Sequence, residues 1–128
     1  MKPLTREWVE KAEADFISAQ REFRARKKPN YDAACFFAQQ SIEKYIKARL
    51  QEAEIEFSKI HDLAKLLDLV SPVEPLWEPY RPTFRPLSAY AVVFRYPGEN
   101  ADKEEAAEAL KTCREFRKVA RHSLGLPK

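Results

Sequence analysis

Apolar residues recur every three or four positions along most of this chain, and that spacing is the period of an α-helix. In residues 5–26, Trp8, Ala12, Phe16, Ala19 and Phe23 fall on one face. They predict a first helix about 33 Å long at ~1.5 Å per residue. Lys27-Lys28-Pro29-Asn30 ends it, because basic side chains suit the negative end of the helix dipole and proline cannot continue the hydrogen-bond ladder. A second helix is predicted over residues 31–53, capped by Asn30 or Asp32. Ala34, Ala38, Ile42, Tyr45 and Arg49 mark its stripe, which Phe37 and Ser41 widen. Ser58 or His61 then opens a short helix carrying Leu63, Leu66, Leu67 and Val70.

The pattern falters where Pro72, Pro75, Pro79, Pro82 and Pro86 crowd together. An interior proline costs a helix about 3 kcal/mol, so residues 71–82 are expected to form an irregular connection with 3₁₀ character. A shorter helix follows over residues 84–94, capped by Thr83, with Pro86 tolerated in its first turn. Trp77, Tyr80, Phe84 and Leu87 are expected to pin this stretch to the core. Arg95-Tyr96-Pro97-Gly98 breaks the helix, and Asn100 is the expected N-cap of the last one. There Asp102, Glu104 and Glu105 match the positive end of the dipole, and Ala106, Leu110, Cys113, Phe116 and Ala120 form the buried stripe. Lys118, Arg121 and His122 suit its far end, and Gly125 supplies a left-handed stop. The fold class is therefore all-α: an antiparallel up-and-down four-helix bundle with an additional short helix and a Pro-rich connection.

Composition adds bounds. The chain has 128 residues, 34% of them charged and only 2 glycines, which fits one helical domain spanning residues 1–128 with a single core. The longest apolar stretch, residues 90–94, is far too short to span a bilayer, and the N-terminus does not read as a signal peptide. A cytoplasmic location and no membrane partner are expected. Cys35 and Cys113 lack metal-ligand spacing and sit on apolar stripes, so they read as buried thiols rather than a disulfide. Two histidines and no clustered ligands leave no metal site and no cofactor expected. A net charge of +3 permits an anionic partner without demanding one.

Several segments carry a family resemblance in order along the chain: residues 31–50, YDAACFFAQQSIEKYIKARL; His61-Asp62-Leu63; and Phe94-Arg95-Tyr96-Pro97-Gly98. Together they resemble the HEPN family of small helical proteins that handle nucleotides or RNA. The resemblance implies self-association, as a homodimer or higher homo-oligomer with its cleft between subunits. It also implies a separately encoded minimal nucleotidyltransferase as partner, as in two-component toxin–antitoxin modules.

Many members of that family share a ribonuclease motif in which Arg is followed, four to six residues later, by His. Here Arg95 is present, but Asn100 stands where the His belongs at the shortest spacing. An amide can hydrogen-bond phosphate or ribose, yet it cannot act as general acid or base near neutral pH. Arg117-x4-His122 fits the motif only in the wrong place. On one regular helix the two side chains stand about 140° apart and cannot converge, so dipole-matched surface charge is the simpler reading. His61 reads either as part of a helix-capping arrangement with Asp62 or as a ligand contact or substitute base.

Gln39, Gln40, Glu43, Lys44 and Lys47 lie on the less apolar side of the second helix, with Gln40, Lys44 and Lys47 on one face. They read as a solvated surface with a Glu43–Lys47 intrahelical pair. Alternatively they form a polar groove or dimer seam bordering Arg95. Arg95, beside the exposed N-terminus of the last helix, is the candidate anion site. The expected function is binding of a nucleotide or RNA with little or no catalysis, through Arg95, Asn100, Gln40, Lys44 and Lys47. Two alternatives stay open: a metal-independent endoribonuclease using Arg95 and His61, and a structural oligomeric interaction module.

Overall fold

Five α-helices and one 3₁₀ segment make up the described residues of the computed structural model, with no strand among them. It describes the backbone of residues 1–93 and 96–128, and the side chains of residues 1–90 and 96–128. Helix α1 spans Pro3–Arg24, α2 Tyr31–Glu52, α3 Leu63–Val70, α4 Arg81–Val93 and α5 Lys103–Ser123. The 3₁₀ segment, Pro75–Tyr80, fills the proline-rich connection as the sequence predicts.

Helix α2 is the centre of the bundle and packs against α1, α3, α4 and α5. Its composition explains why. Ala34, Ala38 and Ala48 let neighbours approach closely, while Ile42, Tyr45, Ile46 and Leu50 fill the space between them, all essentially inaccessible to solvent. Asn30 rather than Asp32 caps it, accepting from the Ala33 amide at 2.9 Å. The Asp32 carboxylate instead accepts from the Ala101 amide at 2.6 Å and so fastens the start of α5 to the start of α2.

The proline-rich stretch is held by stacked aromatics. Trp77, buried, meets Phe116 of α5 edge-on at 4.9 Å between ring centroids. Phe84 meets the same ring at 5.2 Å, and Tyr80 lies over Phe84 at 5.3 Å. Edge-to-face geometry of this kind adds about 0.5–1.5 kcal/mol per pair beyond area burial. It anchors a segment whose prolines cannot sustain a regular ladder.

Three local expectations need correcting. Asp102, not Asn100, caps α5, in a reciprocal capping box with Glu105. The four residues after Gly98 are thus a link ending on a cap that brings its own partner. Helix α4 begins at Arg81 rather than after Thr83, because the 3₁₀ turn feeds straight into it and Pro82 occupies its first turn. Trp8 and Phe23 are only half-buried: Trp8 packs on Phe57 of the α2–α3 link, and Phe23 on Tyr31 at the bundle's end. The expected left-handed stop at Gly125 is present, with φ +74°.

Candidate functional site

The polar side of α2 is not the solvated face its sequence suggests. Gln39, Glu43 and Lys47 stack on successive turns and are buried. The Glu43 carboxylate receives Lys47 Nζ at 3.0 Å and the Gln39 amide at 3.3 Å, and His61 Nδ1 lies 3.2 Å from the same carboxylate. Gln39 also donates to the His61 carbonyl at 3.2 Å. The α2–α3 link, residues 53–62, closes over these groups: Phe57 and Trp8 each lie within cation–π range of Lys47, at 6.0 and 5.5 Å. Burying two charges costs several kcal/mol each unless they are paired and fully hydrogen-bonded. Here the two charges are paired with each other, and no buried side-chain nitrogen or oxygen among the described residues lacks a partner. The His61 side chain, in contrast, keeps 73% of its surface exposed. Asp62 alone caps α3, accepting from the Ala64 amide at 2.8 Å.

The remaining candidates on α2 are also engaged. Gln40 donates to Gln39 at 2.9 Å, and Lys44 pairs with Asp15 of α1 at 2.5 Å. Gln40 and Lys47 therefore bond within α2 while Lys44 ties α2 to α1, and the three do not converge on one open basic surface. Arg95 lies outside the described residues.

Asn100 lies at the other end of α2. It lines a cleft of about 330 Å³ with Lys28, Pro29, Asn30, Tyr31, Asp32 and Ala101. The α1–α2 turn builds one wall and the link into α5 the other, so the basic end of α1 meets the start of the last helix, as an up-and-down bundle requires. The turn requires Lys28 to hold a left-handed conformation, φ 49°, which is uncommon without glycine. Backbone amides at this end are partly taken already: Ala101 donates to Asp32, Asp102 to Glu105 and Glu105 to Asp102. What the cleft offers a ligand is a lysine and two side-chain amides beside a fixed carboxylate.

A second polar network, missed in the sequence, joins α1 to α5. Glu13 accepts from Arg117 through Nε at 2.7 Å and NH2 at 2.5 Å, and from Arg121 at 3.1 Å. Arg121 also reaches the Tyr45 hydroxyl at 3.2 Å. Burial alone pushes the Glu13 carboxyl up, but hydrogen bonds from Arg117 and Tyr45 outweigh it and hold the group below its ordinary value. Burial likewise pushes the Tyr45 hydroxyl well above its usual range. Arg117, expected as dipole-matched surface charge, is thus a bidentate clamp, its guanidinium centre 5.0 Å from the Phe16 ring centroid. No short-range signal marks these partners, which are 104 residues apart.

Both cysteines are buried and unbridged, as the apolar stripes predict. Burial pushes each thiol up to about 12. Among the described residues no His, Cys, Asp and Glu group has metal-binding geometry, and no helix is long and apolar enough to cross a membrane.

Comparison with known proteins places this architecture. The HEPN domain model matches residues 5–123, and the chain belongs to the HEPN family. No curated protein matches the sequence. Among solved structures, the crystal structure of TT1696 from Thermus thermophilus is similar, with a TM-score of 0.76 and 23% sequence identity. The match covers 92% of this chain and 96% of that one. At that identity the likeness speaks for the fold alone.

Proposed function

We propose that residues 1–128 act as one HEPN domain that binds a nucleotide or RNA in the cytoplasm and cleaves it weakly or not at all. In this reading it works beside a minimal nucleotidyltransferase, in a module of the toxin–antitoxin type. The observation that carries the non-catalytic part is the position, within one subunit, of the two histidines relative to Asn100. His122 lies in the last turn of α5, about 30 Å along that helix from Asp102. His61 is tied to Glu43, twelve residues into α2 and roughly 18 Å from the Tyr31 end where Asn100 sits. A general base must come within about 3 Å of the proton it takes, or act through one water, and Asn100 cannot replace it. Lys28, Asn30 and Asn100 supply the cleft's binding groups, and Arg95, five residues before Asn100 in the sequence, adds permanent positive charge.

The test is to titrate purified protein with labelled single-stranded RNA and with adenine nucleotides, then to incubate the RNA complex for cleavage. Binding weakened about tenfold or more by Arg95→Ala, with intact RNA, is the expected result. Robust cleavage abolished by Arg95→Ala or His61→Ala would overturn it. One observation favours that second reading: a solvent-facing imidazole oriented by a carboxylate, as His61 is by Glu43, is the arrangement a general base uses. Cleavage appearing in Asn100→His would instead mark a degenerate active site at the cleft.

A further inference from the structure

The cleft beside Asn100 mixes charges in a way that a site for phosphate alone would not. The turn before α2 supplies the positive part. Arg26, Lys27 and Lys28 are exposed there, and among the described residues none of them makes an ion pair or hydrogen bond. Lys28 lines the cleft itself. The junction of α2 with the link into α5 supplies the negative part, through Asp32. One turn further along α2, the Cys35 thiol is raised first by burial and then by the charges of Glu105, Asp32 and Asp102, so the field at this junction is negative. A phosphate is repelled there and belongs on the lysine side, whereas the junction suits a ligand's N–H donors.

An ionised carboxylate only accepts hydrogen bonds, through about four lone-pair sites on its two oxygens. The Ala101 amide occupies one site on Asp32, at 2.6 Å, and stops the group from turning away. No other hydrogen bond to Asp32 is present among the described residues. Asn30 uses its side-chain oxygen to cap α2, which leaves its amide N–H groups open. The Asn100 side chain makes no hydrogen bond among the described residues. The cleft therefore presents a fixed double acceptor together with amide donors. Tyr31, set against Phe23 at 5.9 Å between centroids, adds an aromatic ring of the kind on which bases stack.

Among the RNA bases, only guanine places two N–H donors side by side on its pairing edge, N1–H and the N2 amino group, with the O6 acceptor beside them. Adenine and cytosine set an acceptor nitrogen next to their amino group, and uracil flanks its single N–H with two carbonyls. Each of these three sets at least one lone pair against a carboxylate's own. Building on the nucleotide-binding reading above, we infer that this cleft selects a guanine base. Asp32 accepts from N1–H and the N2 amino group, an amide of Asn30 or Asn100 donates to O6, and Lys28 holds the attached phosphate. At about 330 Å³ the cleft lies at the lower end of ligand-pocket sizes, which suits one base rather than several.

Calorimetric titration of the purified protein with GMP, IMP, AMP, CMP and UMP tests this. A matched two-bond contact to a base discriminates roughly 5- to 150-fold, so GMP should bind about tenfold or more tighter than AMP, CMP or UMP. IMP lacks only the N2 amino group and should bind about fivefold more weakly than GMP. Asp32→Asn keeps an oxygen for the Ala101 amide but turns N–H donors towards the base, and should bring GMP and AMP within about twofold of each other. Lys28→Gln should weaken all five alike and leave their ratios unchanged. A uridine hexamer with one central guanosine should outbind hexauridine if the base is read within a strand; a preference confined to GMP assigns the free nucleotide. Equal affinity for GMP and AMP, GMP no tighter than IMP, or a preference that survives Asp32→Asn would overturn the guanine assignment and leave nucleotide binding standing. No binding of any mononucleotide or hexamer would overturn both. The comparison of GMP with IMP uses the wild-type chain, so it decides the matter even if Asp32→Asn does not fold.

Discussion

Two carboxylates hold this bundle together in different ways. Glu43 is sealed inside, its side chain 3% exposed, and is served by a lysine on its own helix and a histidine from the adjoining link. Glu13 is a quarter exposed and is clamped by two arginines from the last helix, more than a hundred residues on. The first arrangement folds α2 and its following link into one unit. The second closes the bundle by tying the first helix to the last. Desolvation is nearly complete at Glu43, so everything depends on its partners staying in place. At Glu13 water can take over part of the loss. A paired carboxylate therefore carries different risks at the two sites.

Removing one partner separates them. Glu43→Ala leaves Lys47 buried among Trp8 and Phe57 without a counter-charge, and should cost about 3–5 kcal/mol in urea unfolding. Glu43→Leu/Lys47→Met removes both charges and should recover most of that loss. If the single substitution proves as mild as the double, Lys47 escapes to water and the Glu43 site is not sealed. Glu13→Ala should cost less, about 2 kcal/mol, in keeping with a charged hydrogen bond at a partly wetted position.

Acid should sharpen the contrast further. The folded Glu13 carboxyl titrates below its ordinary value of 4.5. Its contribution is therefore fully present above about pH 5 and disappears as the pH falls through the lower, folded-state value. Unfolding midpoints measured from pH 6 down to pH 3 should fall less steeply in Glu13→Gln than in wild type. Parallel slopes would mean the clamp does not hold the carboxyl in its charged form.

The smallest effect is expected at His61. Its ring is mostly in water and Glu43 keeps two other donors, so His61→Ala should shift stability by less than about 1 kcal/mol. A larger loss would show that the ring, and not only the His61 carbonyl bonded to Gln39, holds the link onto α2. A fifth measurement addresses the core shared by both regions. With their thiols pushed up to about 12, Cys35 and Cys113 carry almost no thiolate, so alkylation at pH 8 should proceed only after unfolding.

Periodicity made the helices legible because a 3.6-residue repeat states which face is buried without saying against what. Ala38, Ile42, Leu110, Cys113 and Phe116 are in the core for that reason. The Glu43–Lys47 spacing was equally visible, but its burial was not: local sequence cannot tell that Phe57, flanked by Ile55 and Ile60 in a charged link, folds back over it. Arg117 shows the same limit from the other side. Its spacing to His122 suggested a surface role, whereas its partner lies on a helix that only the tertiary fold brings near. The Asn100 cleft was partly readable, since an up-and-down bundle sets the end of α1 beside the start of α5. The capping box at Asp102 was within reach of the sequence, because an acid followed three residues later by Glu is its signature.

The two tryptophans divide the molecule optically. Trp8 stands half-buried over Phe57 and within 5.5 Å of the Lys47 ammonium. Trp77 is 2% exposed and wedged against Phe116. An indole in contact with water emits to the red of one sealed among hydrocarbon. Intrinsic fluorescence therefore offers two separable signals without any label. Loosening of the link over α2 alters the red component, and release of the proline-rich segment alters the blue one. Trp8→Phe and Trp77→Phe assign each band, so partial opening at one end can be watched while the other stays shut.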